Sequence, residues 1–277
     1  MSVKTTIKEL LPRRLLNSLH IATATRLLAR IEGQAFDDAP LRLAAEIDLA
    51  ALLAESSRGG VSFAQALEAV DQFAIPDGSG GVNPGDRRAL YQLIVNLSPE
   101  NVLEVGTHIG ASTLMIALAL GQQAKLTTVD ISDVNCESKQ PWRKYGSTRS
   151  PRAMIESLDL ADRVDFITQP STVFMADCQR TFDFIFLDGS HSADVVYKEI
   201  PAALKLLNPR GVILLHDYFP DGEPLWRNGS VVAGPFLATR RLAEEAASLV
   251  ALPLGKLPWP TKLGSNVTSL ALLARRS

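Results

Sequence analysis

An α/β fold, with a mostly parallel sheet covered by helices on both faces, is what this chain predicts, and three observations predict it. Short, almost continuously apolar runs recur after Pro99, at residues 101–105, 126–129, 164–167, 182–187 and 212–215. Segments of helical rhythm separate them, near 112–120, 151–158, 171–180 and 193–207. A glycine-bearing turn follows the first run. Strands that are apolar on both faces have to be sandwiched between helices, which is the situation of a parallel sheet.

The first part of the chain has another character. Residues 2–73 are rich in Leu, Ala, Arg and Glu, and Leu43, Ile47, Ala50, Ala51 and Ala54 fall at helical spacing, which predicts several short helices. Residues 75–85, with Pro76, Gly78, Gly80, Gly81, Pro84 and Gly85, read as an irregular linker. A helix over 86–96 follows, ended by Ser98-Pro99. The predicted division is therefore a helical cap and linker, 1–85, and a ligand-binding domain, 86–277.

Composition narrows the function classes. With 46% hydrophobic and 21% charged residues, the 277-residue chain can bury an ordinary core and is not disordered. A net charge of -2 with no basic run argues against a nucleic-acid partner. Arg13, Arg14, His20, Arg26 and Arg30 interrupt residues 1–31, so neither a signal peptide nor a membrane span is expected there. An amphipathic helix packed on its own domain or on a partner subunit is expected instead. The two cysteines, Cys136 and Cys178, form no CxxC pair, which fits a reducing, cytoplasmic setting without disulfides or a thiolate zinc site.

In parallel sheets, ligands bind beyond the carboxyl ends of the strands. The residues placed there are Gly106 and His108; Asp130; Gln169, Pro170 and Ser171; Asp188 and His191; and His216 and Asp217. Three of the four histidines fall at these edges. The first turn reads Glu104-Val105-Gly106-Thr107-His108-Ile109-Gly110-Ala111-Ser112-Thr113. A dinucleotide turn needs G-x-G-x-x-G, whereas Glu104 holds the first glycine position here, and no phosphate loop of the G-x-x-x-x-G-K type occurs. An acidic group is a poor neighbour for a pyrophosphate but suits a ligand whose amino acid moiety carries an ammonium. Ser112 and Thr113 sit where a helix N-terminus offers free N–H groups. Asp130, closing the next run, is placed to accept two ribose hydroxyls.

Glu104 to Gly110 followed by Asp130 resembles the first two motifs of class I S-adenosylmethionine (SAM) dependent methyltransferases. The D-G-x-H of Asp188–His191 and the later His216-Asp217 resemble the bacterial small-molecule O-methyltransferases, over roughly residues 80–217. The resemblance implies a Rossmann-like, doubly wound sheet of about seven strands with an N-terminal helical extension. It implies SAM as cofactor, with Glu104, Gly106, Thr107, His108, Gly110, Ser112, Thr113, Asp130, Ser171 and Asp188 in its site. Gln169-Pro170-Ser171 falls where the adenine would lie.

For the chemistry, the resemblance implies His191 and Asp188 as catalytic residues, with His191 as general base. Asp188 and Asp217, joined by His216, match positions that hold a divalent cation, Mg²⁺ or another, in related enzymes. Tyr218 stands where the metal-dependent pattern has Asn, so a metal-free variant, with Asp188 orienting His191 or touching the cofactor, stands beside the metal one. His108 is expected to shape the cofactor pocket, and His20 to lie at a surface or interface.

The implied reaction is O-methylation of a small hydroxylated metabolite of natural-product or sugar type. The alternatives are nitrogen or macromolecule methylation on the same fold, without support from an N-P-P-Y motif, and a non-catalytic SAM-binding subunit. Residues 78–85 and 221–235 (Pro224, Trp226, Arg227, Asn228, Gly229) are candidate lids. Residues 132–150, with Trp142, Arg143, Lys144, Tyr145 and Arg149, offer cations to an acidic substrate or to solvent. A homodimer through the N-terminal helices is expected.

Overall fold

Four parallel pairings build the sheet outward from β1 (Asn101–Val105). β1 lies between β2 (Lys125–Asp130) and β4 (Phe182–Leu187); β3 (Val164–Thr168) extends β2, and β5 (Leu207–Leu215) extends β4. β7 (Ala271–Arg275) then runs antiparallel to β5, and β6 (Leu249–Pro253) lies outside it, antiparallel to β7. The order is β3-β2-β1-β4-β5-β7-β6, so strand order reverses between β1 and β4, where a ligand crevice opens. This computed structural model describes residues 12–56, 61–76 and 81–276.

The five predicted runs are all strands. β5 begins earlier than the predicted 212 because the chain loops outward at Asn208–Gly211: the register with β4 moves from Phe182↔Leu207 to Phe184↔Val212. β6 and β7 answer to no predicted run. They form an outer hairpin, and Pro253, which can end only an edge strand, hides the first of them.

The helices divide between the two faces. α2 (Leu49–Leu53), α3 (Phe63–Asp71), α4 (Pro84–Leu97), α5 (Ala111–Ala119) and α6 (Pro151–Glu156) cover one face. α1 (Arg13–Leu28), α7 (Ser171–Asp177), α8 (Ala193–Leu206) and α9 (Gly234–Glu245) cover the other. Strand residues serve the two cores in alternation: Phe184, Phe186, Val212 and Leu214 point one way, Ile185, Leu187, Ile213 and Leu215 the other. The helices of the first 85 residues are thus divided between the same two cores. No described helix is long and apolar enough to cross a membrane.

α4 begins at Pro84, inside the expected linker. Asn83 caps it by accepting hydrogen bonds from the Gly85 and Asp86 amides, both at 3.1 Å, and Pro84 at the first helical position loses no bond there. Residues 132–150 are also more ordered than expected: a 3₁₀ turn spans Pro141–Tyr145 and Trp142 is buried.

Phe184 is fully buried. Phe184→Ala should cost about 3–5 kcal/mol in chemical denaturation, whereas Leu15→Ala, on the exposed face of α1, should stay within about 0.5 kcal/mol of the parent.

Candidate active site

The ends of β1 and β4 meet backbone to backbone. Gly106 has φ +102°, and a Cβ there would lie 2.3 Å from the Asp188 carbonyl oxygen. A Cβ on Gly189 would lie 2.7 Å from Val105 Cγ1. Only glycine allows this approach. The turn continues through His108 at φ +48° to Gly110 at φ +81°, which starts α5. The Asp130 carboxylate holds the turn: Oδ2 accepts the His108 amide and Oδ1 the Ser132 amide, both at 2.9 Å. Tyr145 packs edge-on against the His108 ring with centroids 4.3 Å apart, so residues 132–150 fold over the turn. His108 thereby shapes a wall, and burial lowers its imidazole pKa.

A cleft of about 450 Å³ opens beyond this junction, lined by Gly106, His108, Asp130, Ser171, Asp188 and Glu199 among others. A smaller cavity of about 80 Å³ continues it, bordered by Thr107, Ser112 and His191. Gly81 and Val82, from the expected 78–85 lid, border the small cavity too, while residues 78–80 lie outside the described part. A third cavity, about 380 Å³, begins on the far side of His191 and runs between His20, Thr23 and Leu27 of α1 and Val232–Gly234. His20, expected at a surface or interface, therefore faces this cavity. A further cavity, about 780 Å³, lies between Trp226 and Arg227 of the 221–235 loop and Lys256 and Trp259 of the β6–β7 connection, and shares no lining residue with the cleft.

Two expected cofactor contacts turn inward instead. Glu104 is fully buried and lines none of these cavities; its Oε2 accepts hydrogen bonds from the hydroxyls of Thr113 (2.6 Å) and Thr128 (2.7 Å). Thr113 is likewise buried and spent on this bond. Glu104 Oε1 has no hydrogen-bond partner among the described residues, and the carboxylate lining the cleft at this level is Asp188. Burial pushes the Glu104 carboxyl up to about 7, against the opposing pull of the Ser112, Thr113 and Thr128 hydroxyls, with the nearby Asp188 charge adding to the rise.

Asp188, Asp217 and His216 do come together, but as a charge cluster around an imidazole. His216 Nδ1 lies 2.7 Å from Asp188 Oδ1 and 3.7 Å from Asp217 Oδ1, and Nε2 lies 3.4 Å from Asp86 Oδ2. Burial alone would lower the His216 pKa, but Asp188, Asp217 and Asp86 outweigh it and hold the pKa well above its ordinary value. Both ring nitrogens thus face carboxylate oxygens. Tyr218, in the third ligand position, is buried against Phe236, and burial pushes its phenol up to about 12. Among the described residues no group of three or more His, Cys, Asp or Glu side chains has an arrangement that could hold a metal ion. In the expected donor set the imidazole faces carboxylates on both nitrogens and the phenol stays protonated.

His191 remains half-exposed, with Nε2 3.6 Å from Asp217 Oδ2. Asp217, at φ +52°, also accepts the Ser269 hydroxyl at 3.4 Å. The carboxylate beside His191 is therefore Asp217, where sequence reasoning had placed Asp188. Three further participants carried no sequence signal strong enough to be singled out. Asp86 reaches His216 from the first turn of α4. Glu199, on α8, lines the cleft. Gly234 faces the carbonyl of His191, where a Cβ would come within 1.9 Å.

Two measurements follow. Gly106→Ala should lower the melting temperature and abolish S-adenosylhomocysteine binding in calorimetry, since the added methyl cannot fit at that φ. The Glu104 carboxyl sits above its ordinary value of 4.5, so the folded protein binds that proton more tightly than the unfolded chain. Its stabilisation is complete below about pH 4.5 and is lost as pH rises through about 7. The non-ionisable Glu104→Gln should therefore gain melting temperature relative to the parent between pH 5 and pH 8, and a flat difference would refute the assignment.

Residues 103–218 match the family model described as "Methyltransferase domain". Caffeoyl-CoA O-methyltransferase 1 of Eucalyptus globulus is 29% identical over 157 residues, 55% of this chain and 55% of that protein. Caffeoyl-CoA O-methyltransferase 1 of Arabidopsis thaliana is 28% identical over 159 residues, 55% and 53% of the two chains. The chain thus spans little more than half the length of these curated relatives. Among solved structures, the O-methyltransferase from Bacillus cereus in complex with SAH superposes with a TM-score of 0.51 at 20% identity, covering 94% of this chain and all 100% of that one. The O-methyltransferase TomG from Streptomyces achromogenes in complex with SAM gives 0.52 at 17% identity, covering 97% and 100%. These structures share the fold. The glycine turn, the switch-point cleft and the family match agree in likening residues 103–218 to a methyltransferase domain.

Proposed function

We propose that the chain transfers the methyl group of SAM to a hydroxyl oxygen of a small metabolite, with His191 as general base. The observation that carries this reading is the position of His191 at the junction of two cavities, with Asp217 3.6 Å from its Nε2. The 450 Å³ cleft suits an S-adenosyl ligand: its glycine turn lets the ligand approach the backbone, and Asp130 borders it where ribose hydroxyls would lie. Asp188 would face the ligand's ammonium from the smaller cavity, beside Ser112 and Thr107.

SAM supplies a methyl group on a sulfonium, which an oxygen nucleophile displaces. The protein's part is to align the reactants, exclude water and remove a proton. His191 Nε2 takes the acceptor's hydroxyl proton as the oxygen–methyl bond forms and the sulfur–methyl bond breaks; Asp217 stabilises the resulting imidazolium. His216 faces Asp188, Asp217 and Asp86, which hold its pKa well above the ordinary value, and no step runs through a metal. The acceptor would occupy the cavity between α1 and Val232–Gly234. Its lining of Ala24, Leu27, Val231 and Val232, with two histidines, supports a mainly apolar hydroxylated molecule. The exposed Leu15, Leu19 and Leu27 of α1 support a homodimer through that helix, and the unpaired Cys136 and Cys178 a reducing, cytoplasmic setting.

Native protein should bind S-adenosylhomocysteine in calorimetry; no binding removes the proposal. Once an acceptor is found by a methyl-release screen, His191→Ala should lower kcat at least about 100-fold and leave S-adenosylhomocysteine affinity unchanged. Turnover should persist in excess chelator, and a requirement for added Mg²⁺ or Mn²⁺ would show that the His216 cluster opens to a cation.

A further inference from the structure

Glu199 is 1% exposed, yet it borders the cofactor cleft from the second turn of α8. Its Oε1 accepts the hydroxyl of Ser171, at the start of α7. Its Oε2 has no hydrogen-bond partner among the described residues. A buried acceptor left unpaired costs about 1–3 kcal/mol, so the arrangement is consistent with a donor arriving from elsewhere. Burial raises the carboxyl pKa, and the Ser171 hydroxyl opposes the rise.

Position identifies the donor. Asp130 and Asp188 mark the ribose and amino acid levels of the cleft, while Pro170, Ser171 and Thr172, after β3, mark its other end. Ile131 and Val195 border the same cleft, and Ile131 is 73% exposed, an apolar surface that a flat ring would cover. At the base end of an S-adenosyl ligand the group that donates hydrogen bonds is the exocyclic amine of the purine.

We infer that Glu199, held by Ser171, is the cofactor-specificity residue: its Oε2 accepts the purine 6-amino group and rejects a 6-oxo purine. This rests on the SAM-binding reading above. A 6-oxo base would present a carbonyl to the same oxygen, exchanging an attraction for a repulsion. Hydrogen bonds to charged groups contribute about 1.5–3 kcal/mol, so the discrimination should be about 10- to 100-fold.

The test is calorimetry on the full chain with two probes, S-adenosyl-L-homocysteine and its deaminated analogue S-inosyl-L-homocysteine. The native protein should prefer the first by at least about tenfold. Glu199→Gln, whose amide can turn either its oxygen or its NH₂ toward the base, should bring the two affinities to near parity, with an unchanged melting temperature in the absence of ligand. Equal binding of both probes by the native protein overturns the inference without any variant. A Glu199→Gln protein that folds and keeps the native preference overturns it as well. Failure of both probes to bind the native protein instead removes the SAM reading on which it rests.

Discussion

The structure depends on a contact of two backbones, the Gly106 Cα against the Asp188 carbonyl. It joins the central strands β1 and β4 at the point where strand order reverses, and every functional group is placed relative to it. Asp188 projects into the cleft because its peptide is pressed against Gly106. His191 follows three residues later, and His216 and Asp217 end the strand hydrogen-bonded next to β4. The positive φ values at Gly106, His108 and Gly110 are the conformational cost of the turn, and the Asp130 bonds to the His108 and Ser132 amides help to offset it.

Charge is arranged in two layers around that contact. Beneath the cleft, Glu104 is held by threonine hydroxyls and shifted toward its neutral form, so it works as a hydrogen-bonded strut between β1, β2 and α5. At the cleft wall, the His216 ring faces Asp86, Asp188 and Asp217. Removing that ring would leave three carboxylates close together without a counter-charge. His191 lies outside the cluster and keeps access to solvent and to a substrate.

Most of the sheet was legible from the sequence because apolar strands and amphipathic helices have different periods, and because turns with positive φ select glycine. The outer pair was not: β6 is a half-buried edge strand with a weak pattern, and β7, buried between β5 and β6, is only five residues long. In the site, local chemistry was readable and pairing was not. The residues beyond the strand ends could be located from the sequence, yet which carboxylate faces His216 depends on contacts between segments 28 and 130 residues apart. Glu104 shows the same limit: the motif located it, but its bond to Thr128 comes from the neighbouring strand. A His-Asp pair in sequence likewise does not reveal that both imidazole nitrogens face carboxylates.

Gly234 rests against the carbonyl of His191, so the start of α9 and the base share one rigid junction, and the cavity beside it is closed by α1. The amino-terminal helix, which touches neither the glycine turn nor the cofactor cleft, is thereby mechanically coupled to the reacting centre. A change of sequence along α1 would reshape this cavity and leave the lining of the strand-end cleft untouched.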